Sequence, residues 1–408
     1  MEVKSGYKQT EVGILPETWE IKTLGELTTL LTNGFVGTAT THYTEADNGV
    51  TYIQGFNVEE NSFNLTGIKK VSREFHELNS KSHLREGDLL TIQTGDVGLT
   101  TIVPKEFEGA NCHALIISRF KKEKAFPKFF SQYFNSPFCR QRLKNIETGT
   151  TMKHLNVTDM LKFQLPLPPL PEQRAIAAAL SNVDSLLSAF EALLAKKRLI
   201  KQGAMQELLT GKKHLSGFAD DWETKKFSDL VTVRKQKINP RTSKESLFCV
   251  ELEHIEQGTG RLVGSTETDN IVSIKSVFRK GDVLFGKLRA YLRKYWLADR
   301  DGVCTTEIWP LIPNPGVVVK DYLFQLVQTD GFIETASIAY GTHMPRTDWN
   351  VVKNYEFFVP NVPEQTAIAE ILSDMDAEIA ALESRREKTR LLKQGMMQEL
   401  LTGMVRLV

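Results

Sequence analysis

The sequence predicts an α+β protein in which one plan occurs twice in tandem, a mixed α/β domain followed by a long helix. Two observations support this prediction. A segment of 41 residues recurs almost unchanged at an offset of 192 positions, and both copies have the apolar spacing of a helix that pairs with another helix. We therefore expect a pseudo-twofold duplication whose two helices form an antiparallel coiled coil. The expected boundaries are 1–165 for the first α/β domain, 166–211 for the first helix, 212–360 for the second domain and 361–408 for the second helix.

The repeated segment sets the period of the chain. Residues 171–211 align on 363–403 without a gap, and 24 of the 41 positions are identical, which chance cannot produce. Both copies begin with Pro-Glu-Gln and end with Lys-Gln-Gly-x-Met-Gln-Glu-Leu-Leu-Thr-Gly. Weaker matches follow the same order elsewhere: Trp19-Glu20 with Trp222-Glu223, Arg85-Glu86-Gly87-Asp88 with Arg279-Lys280-Gly281-Asp282, and Gly149-Thr150-Thr151-Met152 with Gly341-Thr342-His343-Met344.

The two repeated segments are predicted to be helices. Their apolar residues alternate steps of four and three, which is typical of a coiled-coil seam, and a glycine ends each segment. A helix of about 40 residues is about 60 Å long, which exceeds what packing on one domain requires. Packing on its own domain is one alternative for each helix; we favour pairing between the two copies. The seam residues expected to face each other are Ile176, Leu180, Val183, Leu187 and Phe190 on the first helix and Ile368, Leu372, Met375, Ile379 and Leu382 on the second.

The ends of the two helices are more similar than helix termination requires. Two nearly identical surfaces on one chain suggest two copies of one external partner. The residues expected to dock this partner are Lys201, Gln202, Met205 and Gln206 in the first copy and Lys393, Gln394, Met397 and Gln398 in the second.

The α/β domains carry local positive charge, although the whole chain has a net charge of only +1. Residues 119–153 hold nine Lys or Arg against two Glu, and residues 275–294 hold seven against one Asp. Aromatic residues are interleaved with both stretches. Taken singly, each stretch could be an ordinary solvated face; their occurrence in both repeats favours contact with nucleic acid. The residues expected to contact DNA are Lys69, Lys70, Arg73, Lys121, Lys122, Thr150, Lys153, Lys287, Arg289, Arg293, His343 and Arg346.

Signatures of catalysis and of metal binding are missing from the sequence. It contains no phosphate-binding loop, no His-Glu-x-x-His and no Asn/Asp-Pro-Pro-aromatic run of a base methyltransferase. Its eight histidines and four cysteines are scattered without ligand spacing, which fits a reducing cytosol. The N-terminal residues lack the apolar core of a signal peptide, and the apolar segment 175–195 carries Asp184 and Glu191, which argues against a membrane span. We expect a cytoplasmic chain without catalytic or metal-binding residues.

The tandem plan, the Gly-Thr-x-Met motif, the Pro-Glu-Gln start and the Lys-Gln-Gly-x-Met-Gln-Glu-Leu-Leu-Thr-Gly end together resemble the specificity subunit of type I restriction-modification systems. The resemblance covers essentially the whole chain. It implies that the α/β domains are target-recognition domains, each reading one half of a bipartite site on double-stranded DNA, and that the helices fix the spacer. It also implies two modification (methyltransferase) subunits as partners, with restriction subunits in the full complex. S-adenosylmethionine, ATP and Mg would belong to those partners, and none of them to this chain.

Two other classes of function remain open at this point. The chain could be an adaptor that bridges two partners through its helices without reading DNA; the basic stretches argue against that function. It could also be an enzyme with an unrecognised site in the α/β domains, which methylation or cleavage by the isolated chain would reveal.

Overall fold

The structure is a computed structural model, and it describes residues 4–150, 153–242, 246–270, 273–340 and 345–407. The chain forms two compact units. Unit 1 comprises Met1–Phe190 together with Arg385–Val408, and unit 2 comprises Glu191–Ser384. Each long helix therefore contributes one half to each unit.

Unit 1 begins with an α/β domain. Its strands are β1 (Tyr7–Thr10), β2 (Gly13–Pro16), β3 (Glu20–Thr23), β4 (Thr28–Asn33), β5 (Val50–Ile53), β6 (Val58–Glu59), β7 (Ser62–Phe63), β8 (Lys69–Val71), β9 (Leu89–Ile92), β10 (Thr100–Ile102), β11 (Asn111–Cys112), β12 (Leu115–Phe120) and β13 (Gln164–Leu167). Its helices are α1 (Leu24–Leu27), α2 (Arg73–Leu78), α3 (Pro127–Asn135), α4 (Pro137–Lys144), α5 (Val157–Leu161) and the first half of α6 (Leu170–Leu208).

The centre of this domain is an antiparallel four-stranded sheet of order β10-β9-β12-β4. The aromatic residues of α3, among them Phe129, Phe130 and Tyr133, lie in one core with residues of β4, β9 and β12. A second, smaller sheet has the order β11-β5-β8, and the antiparallel pair β3–β13 precedes α6. Every residue of β9 is buried, as expected for a central strand.

Unit 2 contains the second α/β domain. Its strands are β14 (Glu223–Lys226), β15 (Val231–Val233), β16 (Lys237–Ile238), β17 (Phe248–Val250), β18 (Thr266–Glu267), β19 (Lys275–Phe278), β20 (Val283–Gly286), β21 (Tyr295–Leu297), β22 (Gly302–Thr305), β23 (Ile308–Pro313), β24 (Ala339–Tyr340), β25 (Arg346–Thr347) and β26 (Glu356–Val359). Its helices are α7 (Phe227–Leu230), α8 (Lys320–Leu326), α9 (Asp330–Ser337), α10 (Trp349–Val352) and the first half of α11 (Val362–Leu400).

The strand order of unit 2 repeats that of unit 1. Its four-stranded sheet has the order β21-β20-β23-β15, its second sheet has the order β16-β19-β22-β17-β18, and the pair β14–β26 precedes α11. Sequence identity between the α/β domains is confined to short motifs, yet the two four-stranded sheets have the same strand order, whereas the second sheet has three strands in unit 1 and five in unit 2. The predicted fold class, tandem α/β domains each followed by a long helix, is confirmed.

The long helices pair antiparallel, as predicted. In unit 1 the start of α6 packs on the end of α11, where Ile176 and Leu180 share a core with Met397 and Leu400. In unit 2 the end of α6 packs on the start of α11 in the same way, with Leu208 beside Ile368 and Leu372 in the core cluster. Ion pairs follow the same direction: Asp184 with Lys393 in unit 1 and Lys201 with Asp376 in unit 2, at 2.5 and 2.6 Å.

The expected pairing of one seam with the other is wrong. The start of each seam packs against the end of the other helix, because two antiparallel helices of equal length place the start of one beside the end of the other. The sequence pattern predicted the helical period and the antiparallel direction of the pair correctly. It did not predict which segments of the two helices lie side by side. Of the predicted seam residues, Phe190, Ile379 and Leu382 are buried with the four named above, whereas Val183, Leu187 and Met375 are half-buried.

Helix α6 is long and apolar enough to cross a membrane, by length and composition alone. Among the described residues it is the one helix that meets this test. A single such helix is weak evidence for a span, since Ile176 and Leu180 are core residues and Asp184 is ion-paired with Lys393.

Candidate nucleic-acid interface

Each α/β domain presents a loop with two left-handed residues at one end of its four-stranded sheet. The loop 93–99 joins β9 to β10, and the loop 287–294 joins β20 to β21. In the first loop Gly95 and Gly98 have φ of 92° and 85°. In the second loop Arg289 and Arg293 have φ of 53° and 50°. Counting from the paired strands places Arg289 opposite Gly95 and Arg293 opposite Gly98.

The two arginines therefore adopt a backbone conformation that glycine adopts freely. A residue with a Cβ atom in this left-handed region is strained by about 1 kcal/mol or more. Strained residues persist where the surrounding structure holds them, and they cluster at functional sites. We refer to residues 93–99 and 287–294 as the hairpin loops.

The chain just after the Gly-Thr-x-Met motif flanks the hairpin loop in both units. In unit 1 an isolated bridge joins Thr94 to His154, and the amide of Leu155 donates to the carbonyl of Gln93 at 3.0 Å. In unit 2 the bridge joins Leu288 to Arg346, and the amide of Thr347 donates to the carbonyl of Lys287 at 2.8 Å. The fold thus brings each hairpin loop together with a segment that lies about 60 residues further along the chain. Residues 151–152 and 341–344, and with them His343, lie outside the described residues.

In unit 2 this arrangement gathers three predicted DNA-contact residues. Lys287 and Arg289 lie on the hairpin loop, and Arg346 lies beside it. Arg346 Nε donates to Glu307 Oε2 at 2.9 Å, and this hydrogen bond raises the pKa of the guanidinium. Arg289 and Tyr291 are exposed. Within the part of the chain that the structure describes, the Arg289 guanidinium makes no hydrogen bond or ion pair.

Arg293 differs from the expectation. Its guanidinium is ion-paired with Asp330 at 2.5 Å and donates to the carbonyl of Gln328 at 3.2 Å. The side chain is half-buried and lies against the start of α9. Arg293 therefore stabilises unit 2 and is not a free cation of the loop, which argues against its expected role as a direct DNA contact.

In unit 1 the predicted cations are dispersed. Lys121 and Lys122 follow β12, whose pairing of Ser118 with Leu89 places them at the opposite end of the sheet from the hairpin loop. The amine of Lys121 donates to the carbonyl of Glu26 at 2.8 Å. Thr150 and Lys153 are exposed in the turn beside the loop, and Lys153 lies 3.8 Å from Glu147. The exposed residues Lys69, Lys70 and Arg73 lie on β8 and α2, next to the smaller sheet.

Residues 119–153 are therefore not one basic patch. Arg119 makes two hydrogen bonds to the buried carboxylate of Asp88, at 2.8 and 2.6 Å. Arg142 donates to the hydroxyl of Tyr133 and to the carbonyl of Gln164, both at 2.8 Å. A count of charges along the sequence cannot separate such interior arginines from exposed ones, because strand direction sends neighbours in sequence to opposite ends of a sheet.

The Glu of each Pro-Glu-Gln motif is a buried anchor, which the sequence did not predict. Glu172 is completely buried and accepts hydrogen bonds from Trp19 Nε1 at 2.9 Å and from Arg406 Nη2 at 2.8 Å. In unit 2 Glu364 accepts from Trp222 Nε1 at 3.1 Å and from the amide of Leu215 at 3.2 Å, and His214 Nδ1 lies 3.3 Å away. The weak Trp-Glu match between the repeats was the sequence signal for this contact.

The Gln of the motif forms the same three hydrogen bonds in both units. Gln173 accepts from the amide of Phe126 at 2.8 Å and donates to the carbonyls of Lys124 and Pro168. Gln365 accepts from the amide of Val319 at 2.9 Å and donates to the carbonyls of Val317 and Pro360. The motif thus fixes the start of each helix to the loop before α3 or α8.

The Thr-Gly that ends each repeat also packs on the α/β domain. Gly211 and Gly403 both have φ of 72°, so each ends its helix in the left-handed conformation. A Cβ atom added at Gly403 would lie 3.1 Å from the indole of Trp19, and one added at Gly211 would lie 3.3 Å from that of Trp222. Both ends of the repeated segment are therefore constrained by contacts inside this chain.

The predicted partner-docking residues are only partly accessible. Lys393 and Met397 are buried in unit 1, and Lys393 is ion-paired with both Glu60 and Asp184 at 2.5 Å. These two residues therefore serve the interior of unit 1, which corrects their expected role at a partner surface. Gln202, Gln206, Gln394 and Gln398 are exposed, and Lys201 and Met205 are half-buried.

A cavity of about 1070 Å³ lies in unit 2 beside the end of α6. Its lining includes Gln202, Met205 and Gln206 from α6 and the aromatic residues Tyr295 and Phe324 from the α/β domain. The four predicted docking residues of the first copy all line it.

The described residues contain neither a cluster of metal ligands nor a cysteine exposed for reaction. No group of three or more His, Cys, Asp or Glu side chains there could hold a metal ion. Cys112, Cys139, Cys249 and Cys304 are buried free thiols. Burial raises the pKa of Cys139 and Cys249 to about 12, so neither is a thiolate at neutral pH.

Comparison with known proteins gives consistent matches. The family described as "Type I restriction modification DNA specificity domain" matches residues 16–201 and 219–392. The MjaVIII specificity subunit of a type I restriction enzyme from Methanocaldococcus jannaschii is 24% identical over 303 residues, which cover 68% of this chain and 69% of that protein. The EcoDI specificity subunit from Escherichia coli is 23% identical over 274 residues, covering 58% of this chain and 60% of that protein.

Solved structures share the fold. A type I restriction-modification S subunit from M. genitalium superposes with a TM-score of 0.61 at 14% identity, covering 98% of each chain. A chain from a structure of the assembly and conformational transition of a type I R-M system gives a TM-score of 0.58 at 17% identity, covering 96% of this chain and 99% of that one.

Proposed function

The chain belongs to the type I restriction modification DNA specificity family, and we propose on that premise that it is the subunit that selects the DNA site. DNA recognition is the general role of this family. The finer proposal is that each α/β domain reads one half of a bipartite site and that the paired helices set the spacer between the halves.

The repeated hairpin loop is the observation that carries this proposal. Both units hold a loop with two left-handed residues at corresponding positions, bridged to the chain just after the Gly-Thr-x-Met motif, although the loop sequences differ. A shared scaffold with different side chains is expected of two domains that perform one task on different sequences. The major groove of B-DNA admits a two-stranded β-ribbon, which is the structure that ends in each loop. In unit 2 the exposed Arg289 and the neighbouring Lys287 supply positive charge for the phosphate backbone.

The helices are suited to act as a ruler because each α/β domain is fixed to them at buried contacts. Glu172 and Gln173 hold the start of α6, and Glu364 and Gln365 hold the start of α11. A domain that is anchored in this way moves with its helix. Helix length would then determine the distance between the two reading loops.

The proposed partners are double-stranded DNA, two methyltransferase subunits and, in the full complex, restriction subunits. The exposed glutamines near the helix ends, Gln202, Gln206, Gln394 and Gln398, are the proposed docking residues for the methyltransferase subunits. The chain itself would be non-catalytic and cytoplasmic. S-adenosylmethionine, ATP and Mg would be bound by the partners.

Mapping of methylated bases tests this proposal. The chain is expressed with its partner methyltransferase in a host that lacks other methylation, and the genome is read by single-molecule sequencing. The expected result is one bipartite motif with two defined halves and an undefined spacer. An adaptor that only bridges partners would give no motif that depends on this chain. Methylation or cleavage by the isolated chain would instead show that it is an enzyme.

A further inference from the structure

Arg289 holds a strained backbone conformation, and within the described part of the chain its guanidinium makes no hydrogen bond or ion pair. Its amide donates to the carbonyl of Pro345 at 2.9 Å, and its carbonyl accepts from the amide of Leu292 at 2.8 Å. Ala290, the next residue, is buried. The backbone at Arg289 is therefore fixed, and the direction in which its side chain leaves the loop is fixed with it.

Arg293 provides an internal comparison. It has the same left-handed conformation, but its guanidinium is held by Asp330 and Gln328. Contacts inside the unit explain why an arginine stands at that position. Arg289 is exposed and has no such partner among the described residues. In the other copy of the loop the same position is Gly95, which is free of strain.

The electrostatic surroundings of Arg289 favour an anionic or strongly accepting ligand. Lys287 lies two residues before it on the same loop. Arg346 lies beside the loop, and the nearby carboxylate of Glu307 is already bound to Arg346. A phosphate contact alone would not need an arginine at a strained position, because Lys287 can supply that charge from an unstrained one.

From this combination we propose that Arg289 reads a guanine in the half-site recognised by the second α/β domain. This inference rests on the proposed function. The planar guanidinium donates two parallel hydrogen bonds to O6 and N7 of guanine in the major groove, and that pairing requires a fixed direction of approach. In the first domain Gly95 has no side chain, and the adjacent Asp96 is ion-paired with Arg140. The guanine contact proposed for Arg289 therefore has no equivalent at the corresponding position of the first domain.

The test uses the full chain in complex with its methyltransferase, with Arg289→Lys and Arg289→Gly as variants. Arg289→Lys keeps the charge and removes the paired donors; Arg289→Gly removes both and relieves the strain. Matched controls are Arg300→Lys and Arg300→Gly, because Arg300 is exposed in the β21–β22 turn at the other end of the sheet. Binding to a library of randomised sites is measured, together with the salt dependence of affinity and the Tm.

Both Arg289 variants should lose discrimination for guanine at one position of one half-site, by roughly 10-fold or more. Arg289→Lys should keep the salt dependence of the parent chain, and Arg289→Gly should have an equal or higher Tm. The controls should keep the parent motif. Unchanged base preference in the Arg289 variants would overturn the inference, and so would equal losses in both half-sites. If the parent chain itself selects no bipartite site, the proposed function has failed. That result is distinguishable from the two that overturn the inference, because those concern only the Arg289 variants.

Discussion

Arg406 donates two hydrogen bonds to Glu172, a completely buried carboxylate at the start of α6. His214 lies beside Glu364 in unit 2, with its Nδ1 3.3 Å from the carboxylate, and Arg406 and His214 are separated by the repeat distance of 192 residues. In both units, therefore, a short tail after the end of one long helix returns a basic side chain to the start of the other. The hydrogen bonds to Glu172 also raise the pKa of the Arg406 guanidinium.

Replacement of Arg406 by alanine should destabilise unit 1. The change leaves a buried carboxylate with Trp19 Nε1 as its remaining described donor, and breaking a buried ion pair costs roughly 3 kcal/mol. We expect a lower midpoint in chemical denaturation. Arg390→Ala is the matched control, because Arg390 forms an exposed pair with Glu387 on α11 whose loss should cost only a few tenths of a kcal/mol, about the value of such helix pairs. Equal effects of the two changes would show that the contact between Arg406 and Glu172 stabilises the protein no more than an exposed ion pair does.

Acidification should also destabilise unit 1. Burial lowers the pKa of His113, and burial together with the stacked His83 lowers the pKa of His76. A histidine whose folded pKa is lowered takes up a proton more readily when unfolded. It therefore contributes stability above its unfolded pKa of about 6.5, and that contribution is lost as the pH falls below this value.

The measurement is the denaturation midpoint of the chain across this range. We expect a lower midpoint at about pH 5.5 than at about pH 7.5, and a smaller difference in His113→Gln. A midpoint that rises on acidification would contradict the sign of this prediction.

The cations of unit 2 should divide into two classes. Lys287→Ala is expected to lower the slope of log affinity against log salt concentration by about one, because one phosphate contact is lost. Arg293→Ala should instead lower the Tm, since Asp330 and Gln328 lose their partner, and it should leave the salt slope as it is. Salt-dependent binding assays and thermal denaturation of the same two variants separate the classes. A lower slope of log affinity against log salt concentration in Arg293→Ala would show that Arg293 contacts DNA, as the sequence analysis predicted.

Those features of the fold that are encoded by consecutive residues could be predicted from the sequence. The period, direction and ends of the long helices could be predicted, because heptad spacing and a terminal glycine are written in consecutive residues. Residues 127–144 and 320–337 each form two short helices. Pro137 begins α4 and ends the continuity with α3, and α8 ends before Asp330, where α9 begins.

The site was harder to predict because its parts come together only in three dimensions. Each hairpin loop and the segment beside it are far apart in sequence and meet through single bridges such as Leu288 with Arg346. The strained conformation of Arg289 has no sequence signature, since arginine is not selected for positive φ. Glu172 was seen as part of a repeated motif, but its partner Arg406 lies 234 residues away.

The last prediction concerns the spacer, and the anchored helix starts make it specific. Duplicating Leu208-Leu209-Thr210-Gly211 inserts four residues where α6 ends, and four residues of helix measure about 6 Å. Duplex DNA rises about 3.4 Å per base pair, so the undefined spacer should lengthen by about one to two base pairs. Both half-site sequences should stay unchanged, because the hairpin loops are untouched. The readout is the map of methylated sites.

The matched control is a four-residue insertion after Gly67, in an exposed turn of the first α/β domain, which should leave the spacer unchanged. The buried side chains of Leu208 and Leu209 pack beside Ile368 and Leu372, so circular dichroism must show that the variant keeps its helical content. A folded variant with an altered half-site and an unaltered spacer would reverse the roles of helix and loop. An altered spacer with both half-site sequences intact would show that the long helices set the spacing and the hairpin loops read the bases. The anchoring of the helix starts by Glu172 and Glu364 leads us to expect this result.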